Sequence, residues 1–331
     1  MIKYSFIIPV FNRPDEIEKL LSSLQQLTFE SDFEIVIIED GSDLSSEIVC
    51  SRFRESLNIN YLKKPNSGPG DSRNYGMQRA KGNYFIILDS DCILPNQYLD
   101  VVNDYLNKEF VDCYGGPDAA HHTFNSLQKA INYSMTSFLT TGGIRGGSER
   151  LNKFQPRSFN MGISKKAFEV TGGFGKIHPG EDPDLTIRLW KNGFSTQLIK
   201  EAYVFHERRI SWKLFYKQVN KFGKVRIILN KWHPNTKKLT YWFPTVFLTG
   251  LIISILLLIT GIYIPFVLFV KYFCILFIDS SIKNGVQVGL KSVVAALFQF
   301  YGYGTGFLIS WWKIRVLNQE EKISFPELFF K

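Results

Sequence analysis

Residues 84–92 read YFIILDSDC, five apolar positions followed by two carboxylates one residue apart. An unbroken apolar run of this length is the pattern of a strand buried on both faces, as in parallel sheets covered by helices. Further apolar, β-branched runs stand upstream at Tyr4–Phe11, Phe33–Glu39 and Asn58–Leu62. Helical patterns lie between them at Pro14–Leu27, Ser45–Leu57 and Asp71–Ala80, with Pro14 suited to a first helical turn. This βαβα rhythm predicts an α/β domain with a mostly parallel sheet and flanking helices. Such sheets bind ligands beyond the C-terminal ends of their strands, at a switch point. Asp40, Asp89 and Asp91 stand just past two such ends.

Downstream, residues 112–200 are less regular and rich in glycine. The clusters GGPD, TTGGIRGG and TGGFG read as loops lining a cleft, and DLTIRLWK at 184–191 as a short helix opening after the pair Glu181–Asp182. Residues Ser211–Leu229 form an amphipathic helix, with Trp212, Phe215, Val219 and Phe222 at helical spacing and Lys213, Lys217, Lys221 and Lys224 as a basic stripe. Three apolar segments follow, at about 241–263, 264–282 and 292–312. The expected division is therefore a catalytic domain at 1–207 and a basic interfacial helix with linker at 208–239. A membrane region at 240–312 and a basic C-terminal tail at 313–331 complete it.

The formal charge of +9 is concentrated. Residues 201–240 hold ten Lys or Arg against Glu201 and Glu207, immediately before the apolar segments. That position favours anionic membrane lipids over nucleic acid as the partner of the charge. The N-terminus lacks the long apolar run and small-residue cleavage site of a signal peptide and reads as a first strand. With the N-terminal domain cytoplasmic, the uncharged GIYIP turn falls outside and the loop at 283–291 returns inside, as the positive-inside rule prefers. The third segment is basic on both flanks, so it either spans against that rule or stays re-entrant or interfacial. The four cysteines show no CxxC or metal-ligand spacing and read as reduced, mostly buried thiols.

Several carboxylates share the chemistry of a site. Asp89 and Asp91 are hard oxygen ligands suited to Mg2+ or Mn2+ on a diphosphate. A DxD alone also fits a solvated turn. Asp40 ends the apolar strand of IVIIEDGS, Glu181–Asp182 opens a helix, and His206 follows the apolar YVF run, where a neutral imidazole suits a metal. A dinucleotide fold is disfavoured, because Gly68-Pro69-Gly70 runs on to Arg73 where GxGxxG needs its third glycine.

Taken together, the chain resembles the family 2 glycosyltransferases of GT-A fold. The landmarks are FIIPVFNR at 6–13, EDGS at 39–42, NSGPGDSRNYG at 66–76, LDSD at 88–91, FNMGISKKAFEVTGGF at 159–174, GEDPDLTIRL at 180–189 and the His of VFHER. They follow in order over about residues 4–230. The resemblance implies that Asp40 and the backbone near Pro9 hold the nucleotide. It places Asp89 at ribose and metal, Asp91 and His206 as metal ligands, and Arg73 near the nucleotide or its diphosphate. Asp182 is the implied catalytic base and Glu181 its acceptor-side neighbour. Glu39–Asp40 stands where the family often has two Asp. The QxxRW motif of processive synthases is missing: the nearest stretch is RRISW at 208–212.

A finer likeness, carried by GGIRGG at 142–147, KFGKVR at 221–226 and the apolar segments, is to enzymes extending lipid-linked sugars in bacterial surface polysaccharide assembly. The expectation is inverting, Mn2+- or Mg2+-dependent transfer from a nucleotide sugar, most simply a UDP-sugar, to a lipid-linked acceptor. The enzyme would sit multi-pass in the bacterial inner membrane with its catalytic domain cytoplasmic. A polyprenyl-phosphate glycosyltransferase and a non-catalytic membrane scaffold are the alternatives.

Overall fold

A computed structural model describes residues 2–119, 124–142, 154–206 and 211–330. Its contacts divide the chain into two units. One comprises Met1–His121, Glu149–Glu207 and Phe329–Lys331; the other comprises His122–Ser148 and Arg208–Leu328.

In the first unit the chain runs β1 (Tyr4–Val10), α1 (Pro14–Gln25), β2 (Glu34–Asp40), α2 (Glu47–Phe53), β3 (Ile59–Lys64), α3 (Pro69–Arg79), β4 (Tyr84–Leu88) and β5 (Cys92–Ile93). It continues through α4 (Tyr98–Lys108), β6 (Cys113–Gly115) and β7 (Asp118–Ala119). After the excursion of α5 (Ser126–Thr136) and α6 (Phe138–Thr141) into the second unit come β8 (Asn160–Ser164), α7 (Lys165–Thr171), α8 (Glu181–Lys191), β9 (Thr196–Leu198) and β10 (Val204–His206).

Seven strands form one sheet in the order β3-β2-β1-β4-β8-β6-β9, and β5-β10-β7 form a smaller one. Strand β1 is parallel to both β2 and β4, while β8 runs antiparallel to β4. The chain lays β2 and β3 on one side of β1 and then places β4 on the other. That reversal opens the expected crevice at the C-terminal ends of β1 and β4. The strands lack alternation because both faces are covered. Tyr4, Phe6, Ile8 and Val10 pack under Leu20 and Leu24 of α1 and Leu99 and Val102 of α4. Ile7, Ile38 and Phe85 meet Met77 of α3, Phe168 of α7 and Leu185 of α8 on the other face.

Two helices begin earlier than their sequence pattern indicates. Helix α3 starts at Pro69 and α8 at Glu181, each behind a glycine with positive φ, Gly68 at 90° and Gly180 at 123°. Only glycine adopts such angles without strain, so the chain turns into helix two or three residues sooner. The Glu181–Asp182 pair therefore sits inside the first turn of α8, not ahead of it. Cys50, Cys92 and Cys113 are buried thiols, as the sequence suggested, and Cys274 is exposed.

The second unit contains α5, α6, α9 (Trp212–Trp232), α10 (Phe243–Leu258), α11 (Ile264–Asn284), α12 (Val286–Trp311) and the short α13 (Glu321–Ser324). Three segments are long and apolar enough to cross a membrane: Leu239–Leu258, Ile264–Asn284 and Val286–Val316. They are not alike. The first two are 11% buried, whereas the third is 44% buried.

Helix α9 accounts for much of that burial. It runs parallel to α12 along its whole length, from the stacked rings of Trp212 and Phe298 at 5.3 Å to the bond from Arg315 to the Asn230 carbonyl at 3.2 Å. Gly223 faces the backbone of Tyr303 and Phe307, and Gly306 faces that of Asn220, approaches that any Cβ would block. The apolar side of α9, Phe215 and Val219, is buried with Ile131 of α5 and Ala295 of α12. It is therefore spent on helix packing within this unit.

Gly162 tests the packing of the first unit. A Cβ there would lie 2.0 Å from the Tyr114 ring, which is buried and bonded to the Tyr98 hydroxyl at 3.1 Å. Gly162→Ala is predicted to lower unfolding stability by about 1–3 kcal/mol, read from a shifted denaturation midpoint; an unchanged midpoint would refute the close packing.

Candidate active site

Asp40, at the end of β2, is 5% exposed in its side chain and fully engaged. It pairs with the Lys64 ammonium at 2.7 Å and accepts hydrogen bonds from the backbone N–H of Ser67 and of Gly68, both at 3.0 Å. The Asn66 amide donates to the Asp40 carbonyl at 2.9 Å. The carboxylate thus holds the NSG loop before α3 against the strand ends. Its neighbour Glu39 is equally occupied, accepting from the Ser46 N–H at 2.7 Å and the Tyr61 hydroxyl at 2.6 Å. Pro9 lies opposite Ile38, one register step from this corner.

Arg73 comes from the buried side of α3 and is 3% exposed. One guanidinium nitrogen bonds Asp89 at 2.8 Å; another lies 3.5 Å from Glu181, and the plane rests 5.3 Å from the Phe174 ring. A single cation therefore ties the DxD turn after β4 to the first turn of α8. The sequence suggested Arg73 as a nucleotide contact; the structure places it between the two carboxylate groups. At Asp91, Arg13 approaches to 3.5 Å while also pairing with Glu16 at 3.0 Å. Strand β10 pairs antiparallel with β5, setting the His206 backbone opposite Cys92, one residue past Asp91. The His206 side chain lies outside the described residues.

Among the described residues, no three His, Cys, Asp or Glu side chains are grouped to hold a metal. Asp89 and Asp91 flank one turn, and His206 enters the adjoining strand. Two carboxylates with an imidazole form a donor set that suits Mn2+ or Mg2+. Arg73 and Arg13 supply positive charge to the same carboxylates, and the Arg13 side chain, 43% exposed, has room to withdraw.

Helix α8 carries the Glu181–Asp182 pair in its first turn. Burial pushes the Glu181 carboxyl up, but the hydrogen bond and charge of His178 and the charge of Arg73 outweigh it and hold Glu181 below the usual range. The His178 Nδ1 stands 2.8 Å from Glu181. Asp182 behaves oppositely: burial, then the charge of Glu181, raise it to about 6, against the lowering pull of Arg73, Arg157 and Ser158. Its Oδ1 is buried and without a hydrogen-bond partner. Adjacent carboxylates whose acidities are driven apart are the signature of assigned acid–base roles.

Two features escaped the sequence reading. His178 precedes α8 and had no motif to mark it. The chain also returns at Phe329 and Phe330: Ile177 bridges Phe329, and the Phe330 ring lies against Gly68 and 5.9 Å from His178. The GIRGG stretch at 143–147 and RRI at 208–210 fall outside the described residues.

The Asp182 shift has a sign that stability measurements can read. A carboxyl raised in the folded state binds its proton more tightly there than in the unfolded chain, so its contribution is full below the unfolded value near 3.8 and is lost as pH rises to about 6. Asp182→Asn, which keeps the neutral form, is predicted to melt above the wild type at pH 8, with the gap closing toward pH 4. A gap independent of pH would refute the raised value.

The model of the glycosyl transferase family 2 domain matches residues 5–172. The minor teichoic acid biosynthesis protein GgaA of Bacillus subtilis is 26% identical over 76% of this chain and 54% of its own length. The poly(ribitol-phosphate) beta-N-acetylglucosaminyltransferase TarS of Staphylococcus aureus is 32% identical over 33% of this chain and 18% of its own length. The chain thus spans about half of one relative and under a fifth of the other. A structure of TarS residues 1–349 with UDP-GlcNAc superposes with a TM-score of 0.50 at 17% identity, covering 96% of this chain and 93% of that one. The mannosyltransferase PcManGT of Pyrobaculum calidifontis, solved with GDP-Man and Mn2+, gives 0.63 at 13% identity, covering 90% and 86%. These likenesses agree with the mostly parallel sheet and its crevice in identifying a GT-A fold, and the chain belongs to glycosyl transferase family 2.

Proposed function

We propose that this glycosyltransferase moves a sugar from a nucleoside diphosphate sugar, a UDP-sugar in the first instance, to a hydroxyl of a lipid-linked acceptor in bacterial surface glycan synthesis, with inversion at the anomeric carbon. The observation that carries the reading is Asp182, with a buried, unpartnered oxygen and a carboxyl raised to about 6. That is the profile of a general base at neutral pH.

Asp182 takes the proton of the acceptor hydroxyl as its oxygen attacks the anomeric carbon. The bond from that carbon to the diphosphate breaks in the same displacement, and the nucleoside diphosphate leaves with the electron pair. Glu181, already anionic and held by Arg73 and His178, orients the acceptor side. The loop pinned by Asp40, with Pro9 beside it, receives the nucleotide. Asp89, Asp91 and His206 would hold Mn2+ or Mg2+, which when bound acts as a Lewis acid on the leaving diphosphate. The UDP-GlcNAc and GDP-Man complexes of TarS and PcManGT support a nucleotide-sugar donor.

The apolar helices support a membrane-bound enzyme meeting a lipid-carried acceptor, with the catalytic unit on the cytoplasmic side of the inner membrane. The raised carboxyl of Asp182 favours a hydroxyl acceptor over a polyprenyl phosphate, whose oxygen is already ionised and needs no base.

The test is nucleotide release from a panel of UDP- and GDP-sugars by the detergent-purified full chain, with Mn2+, Mg2+ or EDTA and native lipid extract. Release with one donor, abolished by EDTA and reduced about 10²–10⁴-fold in Asp182→Asn, is the predicted result. Transfer insensitive to Asp182→Asn would replace the hydroxyl acceptor by a phosphate one; silence with every donor and lipid would leave the scaffold reading.

A further inference from the structure

Helices α9 and α12 enclose a groove of about 540 Å³ together with the segment that follows α13. Its lining is divided by chemistry. Lys224 of α9 and Lys313, just beyond α12, stand with Asn220 and Thr305 on the polar side, and Tyr301 and Ile309 of α12 continue it as an apolar wall. The two ammonium groups flank one ring, Lys224 at 5.3 Å and Lys313 at 5.2 Å from the Phe325 centroid. Phe325 is buried and orders both cations on the same side of the helix pair.

An anion already visits this place. Glu327 reaches Lys224 at 2.9 Å, and the charge of Lys221 acts on the same carboxylate. The Lys224 side chain is 19% exposed, whereas Glu327 is 46% exposed and carried on a short turn anchored by buried Phe325 and Leu328. The carboxylate is thus the exchangeable partner and the lysine the built one. Three cations against one carboxylate leave about two positive charges, which match a diphosphate linkage at pH 7 better than the single charge of a phospholipid diester.

Depth in the bilayer follows from the helix pair. Lys213 and Lys217 of α9 are exposed, and α9 lies along α12 throughout. A hydrocarbon placement of α12 would carry those lysines into the membrane interior, where charge is expensive. The pair therefore lies at the membrane surface, with the exposed residues Tyr301, Leu308, Ile309 and Trp312 turned to lipid. Insertion is left to α10 and α11, whose exposed residues are mostly apolar, with Thr249, Lys271 and the Lys283–Asn284 end of α11 as the polar exceptions.

We propose that this groove is a headgroup site for a lipid carrier joined to its sugar through a diphosphate. The phosphate displaces Glu327 from Lys224 and bridges to Lys313, and the lipid chain follows Tyr301 and Ile309. This rests on the reading of a lipid-carried acceptor and assigns the side chains that grip its carrier.

The experiment measures binding of a polyprenyl diphosphate sugar to the full chain in nanodiscs, with phosphatidylglycerol and inorganic phosphate as competitors and nucleotide-sugar binding recorded on the same samples. The double variant Lys224→Gln/Lys313→Gln is predicted to weaken carrier binding about a hundredfold, about tenfold for each charge-assisted bond. Lys224→Arg/Lys313→Arg restores most of it, Glu327→Gln strengthens it, and nucleotide-sugar binding is unchanged in all four proteins. Wild-type carrier affinity in the Gln double variant, or failure of the Arg pair to restore it, would overturn the site. Equal competition by phosphatidylglycerol would reassign it to bilayer lipid, and equal competition by inorganic phosphate to a soluble anion, either of which overturns the carrier. Carrier binding with the predicted variant pattern, in an enzyme that transfers sugar only to soluble acceptors, would refute the acceptor reading and leave the site standing.

Discussion

A guanidinium removed from water must find its charge partners inside the protein, and Arg73 finds them on two elements far apart in sequence. Its bonds reach Asp89 after β4 and Glu181 in α8. Removing one side of such a buried ion network characteristically costs about 3–5 kcal/mol, so the DxD turn and the first turn of α8 are not independently mobile. His178 and, after it, the same cation keep Glu181 ionised; Asp182 is raised first by its burial and then by Glu181. Arg73 itself pulls Asp182 down, so the value near 6 reflects burial acting against that pull. Asp40 plays a comparable part at the end of β2, where Lys64 and two backbone N–H groups lock the loop that leads into α3, and hence into Arg73 itself.

Much of this was legible in the chain. The strands were readable because both faces of the sheet are covered, so each apolar run is unbroken, and β4 matches its expected span residue for residue. The carboxylates at strand ends were readable for the same reason: a charge closing such a run needs compensation. The family likeness brought them together in order, and the domain match and the fold agree with it. The role of Arg73 was not legible, because a lone arginine on a helix pattern carries no mark of the residues it meets at positions 89 and 181. The early start of α8 was hidden by Gly180, whose backbone angle only the folded chain reveals. His178 and Phe330 were invisible because their importance lies wholly in tertiary neighbours.

The apolar C-terminal region teaches a different lesson. Hydropathy finds three similar segments, yet the structure separates them. Gly302, Gly304 and Gly306 form a contact face of α12, and two of them, Gly302 and Gly306, admit α9 to backbone distance. A helix whose small residues are matched by a basic neighbour belongs to a packed unit and only partly to lipid. The charge excess before the membrane region is likewise divided: Lys213 and Lys217 face outward, while Lys224 is drawn inward against Phe325 and Glu327.

The central claim, that burial raises Asp182 while the charge of Arg73 restrains the rise, is most directly tested by the pH dependence of donor turnover in Arg73→Gln. Loss of the cation removes a charge that lowers Asp182, so the account predicts an acidic limb displaced to higher pH than in the wild type. A limb that stays at the wild-type pH while turnover falls would contradict it and leave Arg73 with a purely structural role.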